Sequence, residues 1–365
     1  MPMAQWIEGY GDRTVLAAGG ALIGLCFGFL AQRSRFCLRA AVIEFWHRRF
    51  GEKLSVWLLA FSSAVIGVQL LALSGLLDTT SARQIAARGS LSGALLGGVL
   101  FGIGMVLTRG CASRLLILSA NGNLRALLSG LIFAVSAQSA LSGALSPLRA
   151  HISGWWMVDG GAPRDLLARL GLGHEAGLLF GMVWFLAALY FIWRSPQRSV
   201  WMWIGGIGTG LMVAAAWGFS QWVARESFDP VQIQGLTFSG PSAEWLMRVL
   251  QWPAPPMGFE FGLMPGVFLG SFMGALVGRD WKLEGFKDGY SMRRYIAGAI
   301  FMGFGSMLAG GCAVGAGVTG GAIFALTAWL SLVGMWVGAG LADRWLDGGA
   351  ALLANVPHAA GFTRP

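Results

Sequence analysis

Charge is scarce in this chain. Only 12% of its 365 residues are Asp, Glu, Lys or Arg, about half the share a soluble domain carries. Those charges fall in clusters, so an ordinary water-soluble surface is excluded. Cysteine and histidine are few as well, four of each. Cys26, Cys37, Cys111 and Cys312 make no CxxC pair and the histidines are scattered. A zinc site needs clustered thiolates and imidazoles, so no metal and no cofactor is expected. A disulfide framework is also excluded, because these cysteines lie in apolar or cytoplasm-flanking segments. The chain has no phosphate-binding P-loop, which argues against direct ATP hydrolysis. A cleaved signal is not expected either: Arg13 stands against Glu8 and Asp12 before the first apolar run, and the positive cluster follows that run, the wrong order for a signal peptide.

What is abundant is apolar sequence and glycine. Hydrophobic residues make up 55% of the chain, glycine contributes 56 residues, and the mean hydropathy is +0.63. Nine apolar spans are legible: Val15–Ala31, Leu54–Leu77, Leu91–Thr108, Ala126–Ser146, Ala176–Trp193, Val200–Val223, Phe259–Gly278, Tyr295–Ala309 and Ala322–Ala342. Most are long enough for a bilayer core of roughly 30 Å. The third and eighth are short and interrupted by glycine, which predicts broken or re-entrant helices. The expected fold is an all-α membrane protein of about nine transmembrane helices.

The net charge of +9 fits the Lys/Arg-rich cytoplasmic loops of such proteins, and no nucleic-acid partner is expected. The loops Gln32–Lys53, Arg194–Arg198 and Arg279–Arg294 are basic, whereas Arg225–Glu260 carries two arginines against four acids. Positive-inside reasoning puts the first three in the cytoplasm and the last outside, with the N-terminus outside and the C-terminus cytoplasmic. The loop Pro147–Glu175 comes out external although it is mildly basic; its stretch Pro163–Leu170 is expected as a short amphipathic helix at the interface.

An internal repeat is present. Gly97, Gly102, Gly104, Leu107, Gly110, Cys111 and Ala112 match Gly298, Gly303, Gly305, Leu308, Gly311, Cys312 and Ala313, each pair 201 positions apart. Glycine lies nine positions before Cys111 and Cys312, and again, at Gly28, before Cys37. A fainter echo, Gly208-x-Gly210 followed by Trp217, suggests a fourth element in which Trp replaces Cys. Spans one to four then match spans six to nine, and the single fifth span reverses their orientation. This is an inverted-topology repeat, an architecture of secondary transporters: a single transmembrane domain over 1–365, with halves at about 13–146 and 200–342 joined by a span at about 176–193.

Three segments carry candidate chemistry. Arg109-Gly110-Cys111-Ala112-Ser113-Arg114 sets two guanidinium groups beside a thiol at a span end, where a charge should face a cavity or a carboxylate. Gly303 to Gly321 holds eight glycines, among them Gly310 and Gly311; that density predicts a helix–break–helix hairpin with Cys312 at the break and backbone N–H groups able to bind an anion. Gln32-Arg33-Ser34-Arg35-Phe36-Cys37 ends the first span with a basic exit and a thiol. Cys26, mid-span without polar company, is expected to pack as a small hydrophobe. A thiol is a weak donor and a polarisable acceptor. It suits a soft sulfur atom, as in thiosulfate, better than a hard hydrated anion, and several weak sites permit both entry and exit.

The segments around Cys37, Cys111 and Cys312 resemble the YeeE/YedE family of sulfur transporters, over nearly the whole chain. The resemblance implies an hourglass-like, inverted-repeat helical fold in the bacterial inner membrane and uptake of thiosulfate. It implies a substrate path through Cys37, Cys111 and Cys312, supported by Arg109, Arg114, Gly110, Gly310 and Gly311; Cys26 has no counterpart. The topology orders the path with Cys312 outermost, Cys111 central and Cys37 towards the cytoplasm. The resemblance further implies a separate TusA-like cytosolic sulfur carrier as partner. Two alternatives remain open: transport of a selenium compound, and a membrane sulfurtransferase in which one cysteine carries a persulfide.

Overall fold

The computed structural model of the chain describes residues 9–194, 199–252, 257–285 and 289–354. Among these residues nine helical segments are long and apolar enough to cross a membrane, and they coincide with the nine apolar runs. In chain order the helices are α1 (Asp12–Arg33), α2 (Leu38–Trp46), α3 (Glu52–Leu73), α4 (Leu91–Leu107), α5 (Ala112–Ala120), α6 (Leu124–Ser142), α7 (Ser146–Gly154), α8 (His174–Arg194), α9 (Val200–Glu226), α10 (Ser239–Leu250), α11 (Phe259–Gly278), α12 (Gly289–Ala309) and α13 (Leu326–Ala354). A π-helical turn, Ala313–Gly320, follows α12. Two of the long helices, α4 and α6, start on polar caps: Ser90 Oγ accepts from Gly93 N–H at 2.8 Å, and Asn123 Oδ1 from Ala126 N–H at 2.9 Å.

Glycine sets the packing, because in lipid close backbone approach drives helix association. Gly20, Gly24 and Gly28 of α1 lie against the carbonyls of Phe259, Leu263 and Val267 of α11. In return Gly262, Gly266 and Gly270 lie against Ala17, Ala21 and Leu25. A Cβ at any of the six would overlap the facing oxygen, and the rising numbers on both sides make α1 and α11 parallel. Likewise α3 runs parallel to α9 (Gly206 on Leu59, Gly210 on Ala60) and α4 parallel to α13 (Gly98 on Ser331, Gly102 on Met335). Two other pairs are antiparallel: α1 with α9 (Gly19 on Phe219, Gly205 on Leu30 and Ser34) and α4 with α12.

At the α4–α12 crossing Gly97 meets the Gly305 carbonyl and Gly104 meets the Gly298 carbonyl. Those are reciprocal contacts under the 201-residue offset. Exchanging α1 with α9, α3 with α11, α4 with α12 and α6 with α13 turns the α1–α11 packing into α9–α3 and the α4–α13 packing into the observed α12–α6, and maps α1–α9 and α4–α12 onto themselves. Each exchanged pair in direct contact is antiparallel, which is the packing an inverted repeat requires.

The basic loops gather at one end. Arg35 Nη2 lies 3.9 Å from Asp280 Oδ1, the Arg33 guanidinium stacks on Trp201 at 4.7 Å, and Lys282 N–H donates to Asn121 O. At the other end Arg225 reaches Gly75 O and Ser227 Oγ donates to Asp12. Arg198 and Lys287 of the basic loops lie outside the described residues.

Two expectations need correction. First, α9 runs unbroken through Trp217; no α9 residue before it has a positive φ, and Gly208 and Gly210 instead accommodate Leu30 and Ala60. Second, Pro163–Leu170 is not a surface-lying amphipathic helix. Ala162–Arg164 and Leu166–Arg169 are two short turns with Arg164 and Leu167 buried, tied inward by Leu166 N–H on Phe324 O. The break expected within Gly303 to Gly321 is present with Cys312 at it: Gly303 and Gly305 are inside α12, packed on Phe133 and Gly97, and the chain leaves the helix at Gly310–Cys312.

Candidate functional site

Each of the three helix breaks has one backbone design. A residue in the left-handed region stands two positions before the cysteine: Arg35 (φ 54°), Arg109 (φ 59°) and Gly310 (φ 77°). The next N–H reaches five residues back, Phe36 to Ala31 O at 3.0 Å, Gly110 to Met105 O at 3.1 Å and Gly311 to Ser306 O at 2.9 Å, the 6→1 bond of a Schellman terminus. The cysteine then takes extended backbone and starts the next helix: Cys37 before α2, Cys111 before α5, Cys312 before the π turn. Each thiol faces the N–H three residues on. Cys312 Sγ accepts from Gly315 N–H at 3.4 Å, and the Cys37 and Cys111 thiols face the N–H groups of Ala40 and Arg114. A thiol at a helix start sits where free N–H groups and the helix dipole favour negative charge.

The sequence-predicted residues fall into two groups. Cys37 and Cys111, separated by α2–α4 in the chain, are near neighbours whose thiols interact. The two thiols expected as central and cytoplasmic-side stations are thus adjacent. Cys111 Sγ also lies 3.4 Å from Ser113 Oγ. Arg114 is in electrostatic reach of both thiols and its Nη1 donates to the buried Gln32 Oε1 at 3.2 Å. Arg109 is exposed and acts at one remove, through Arg39 and Tyr295. Gly110 spaces Arg109 from Cys111.

Cys312, with Gly310 and Gly311, forms the second group at the opposite end of the bundle, where α12 terminates. The π turn that it starts touches α5, so the two thiol-capped segments enter from opposite ends and meet in one buried core. Cys111 and Cys312 are fully buried and Cys37 nearly so; Cys26, half-buried in mid-α1, belongs to neither break.

Sequence reasoning did not find the segment that closes over Cys312. Thr237 packs on Gly315, Thr319 Oγ1 donates to Leu236 O at 2.7 Å, and Gln84 Nε2 donates to Gly315 O at 3.3 Å. From there Phe238 stacks on Phe27 at 5.4 Å and Phe27 on Phe36 at 6.5 Å. This apolar bridge runs from the Cys312 cover to the Cys37 break. It carries no glycine or charge signature by which it could be read in advance. Arg39 was legible as a loop cation, but not as the neighbour of Cys37.

A family model described as Sulphur transport matches residues 33–341. The chain is 25% identical over 363 residues to the thiosulfate transporter TsuA of Escherichia coli (strain K12), the match covering 90% of this chain and 93% of that protein. It is 27% identical over 340 residues to the thiosulfate transporter TsuA of Spirochaeta thermophila, covering 87% of this chain and 96% of that one.

Proposed function

The chain belongs to the sulphur transport family, and on that premise we propose that it takes up thiosulfate, or a closely related sulfur dianion, across the bacterial inner membrane. The observation that carries this reading is the threefold use of one backbone device. Each of the three breaks in a membrane-spanning helix ends on a cysteine that starts the next helical segment. Such a break offers a soft S–H group for the terminal sulfur and a positive helix end for the sulfonate oxygens. The halves at about 13–146 and 200–342, related as an inverted repeat, bring one such break in from each end of the bundle.

In this scheme Cys312 receives the anion on the outer side and passes it to the Cys111–Cys37 pair. Arg114 holds the dianion's charge there, while Arg109, Arg35 and Arg39 draw it towards the cytoplasm. Gly310 and Gly311 let the outer break bend, and Gly110 the inner one. The basic loops at the Cys37 end face the cytoplasm by the positive-inside rule, with the N-terminus outside and the C-terminus inside. A separate TusA-like carrier would collect sulfur at that end. Inward movement of a dianion works against an inside-negative potential by about 2.3 kcal/mol per charge per 100 mV, so uptake must be coupled to a favourable step such as reduction or transfer of the sulfur inside.

The test is uptake of labelled thiosulfate, sulfate and selenite into proteoliposomes. Thiosulfate should enter fastest and sulfate slowest; preference for sulfate would refute the soft-atom argument, and preference for selenite would move the assignment to selenium. The contact between Cys37 and Cys111 beside Arg114 favours a second reading, sulfur transfer, in which a thiol and thiosulfate give a persulfide and sulfite. Intact-mass measurement after thiosulfate exposure separates the two: transport alone leaves the mass unchanged, whereas transfer adds one sulfur atom.

A further inference from the structure

Arg164 is a buried charge without a counter-charge. Its side chain is 6% exposed. One terminal nitrogen donates to Ala87 O and the other to Thr327 Oγ1 at 2.7 Å, while Nε is buried with no partner. Burial alone acts on its ionisation, pulling the pKa below the ordinary guanidinium value, and no carboxylate offsets it. A guanidinium stays protonated in proteins, and a lone buried charge is costly unless something pairs with it.

Arg164 lines a cavity of about 250 Å³ together with Arg88 and Arg149. No carboxylate lines this cavity among the described residues; Ser90, Ser153, Gln84 and Thr327 supply its other polar groups. Arg88 Nε holds Asp159 at 3.1 Å on the exposed rim, and Arg149 Nε donates to Ala140 O at 2.7 Å. The remaining wall is the Cys312 break itself, through Leu308, Ala309, Gly310 and Ala316. The cavity lies at the start of α4, the end of the bundle remote from the basic loops.

We propose that this cavity is an anion-capture site, in which Arg164, with Arg149 and Arg88, holds a tetrahedral sulfur oxyanion on the outer side before it reaches the Cys312 break. The proposal rests on the transport reading above and adds a station ahead of the thiols. It also accounts for the mildly basic character of Pro147–Glu175, which is anomalous for an external loop: two of its arginines turn into a cavity instead of marking a membrane side. Bidentate geometry suits guanidinium to such an anion, and the volume leaves room for the anion with several waters.

The experiment pairs equilibrium binding of labelled thiosulfate to the full chain in nanodiscs with initial uptake rates in proteoliposomes, using wild type, Arg164→Gln, Arg164→Lys, Arg149→Gln and Cys312→Ala. Arg164→Gln should weaken binding and raise the uptake KM about tenfold or more with the maximal rate nearly unchanged, and Arg164→Lys should restore part of the loss. Cys312→Ala should still bind thiosulfate while failing to carry it. Arg149→Gln, whose backbone bond is peripheral, should raise KM in the same direction even if Arg164→Gln proves unstable. Unchanged binding and KM in Arg164→Gln and Arg149→Gln would overturn the site while leaving transport standing. Arg164-dependent binding without any wild-type uptake would instead sink the transport reading alone. If delipidated protein loses the site's effect and phosphatidylglycerol alone restores it, the cavity holds a lipid headgroup and the proposal fails.

Discussion

The break before Cys111 and the break before Cys312 occupy equivalent places in the repeat and share one backbone course and the sequence Gly-Cys-Ala, yet differ in the residues on either side of it. Arg109 adopts at φ 59° what Gly310 adopts at φ 77°. After the Cys111 break a regular helix follows, and its thiol meets Cys37 and Ser113. After the Cys312 break a π turn follows, and its thiol is held by Gly315 N–H. Space differs too. A Cβ on Gly110 would find Leu115 Cδ2 at 3.4 Å, whereas one on Gly311 would come within 2.7 Å of Ala316 N. The same left-handed residue and 6→1 bond also end helices without a cysteine, at Arg48, Gly75, Gly122 and Arg279, so it is the cysteine at the start of the next segment that sets these breaks apart. The Cys111 break fills its left-handed position with a charge and the Cys312 break with a glycine that has open space around it.

The largest effect that would sharpen this comparison is the contrast between Gly311→Ala and Gly110→Ala. The first must push the π turn aside, at a cost of about 1–3 kcal/mol, and displaces Cys312; uptake at matched incorporation should collapse. Gly110→Ala meets only ordinary contact and should keep most of its uptake. Similar losses in both would mean that the two breaks are equally tight. Next is Gly310→Ala, which has open space but a left-handed φ, so detergent melting should show destabilisation by about 1 kcal/mol with a modest drop in uptake. Arg109→Gly is the mirror case. Relief of left-handed strain should leave stability unchanged or raised by up to about 1 kcal/mol, while thiosulfate uptake falls a few-fold and loses part of its salt dependence. A stability loss on that substitution would show that Arg109 is structural. Smallest is Cys26→Ala, expected to change stability by less than about 0.5 kcal/mol and uptake not at all.

How much of this could be read beforehand follows from the range of each interaction. The nine spans were legible because a bilayer imposes length and apolarity on consecutive residues. The repeat was legible because Gly97, Gly104, Gly298 and Gly305 must remain small where α4 and α12 cross. The break at Cys312 was legible from its glycines, although Gly303 and Gly305 serve packing and only Gly310–Gly311 serves bending. At the other two breaks arginine takes the left-handed position, and no propensity announces that. Trp217 misled for a related reason: the glycines before it make room for neighbours instead of ending a helix. The meeting of Cys37 with Cys111, and of Arg164 with Thr327, joins residues far apart in the chain, and local pattern holds no record of either.

The central claim is that a sulfur anion passes along thiols presented at helix breaks. Its most direct test is labelled-thiosulfate uptake by a Cys111→Ala, Cys312→Ala double variant in proteoliposomes, at incorporation and thermal stability matched to wild type. The account predicts uptake indistinguishable from protein-free vesicles. Uptake equal to wild type would contradict it, and would leave the breaks as backbone anion sites in which the thiols take no part.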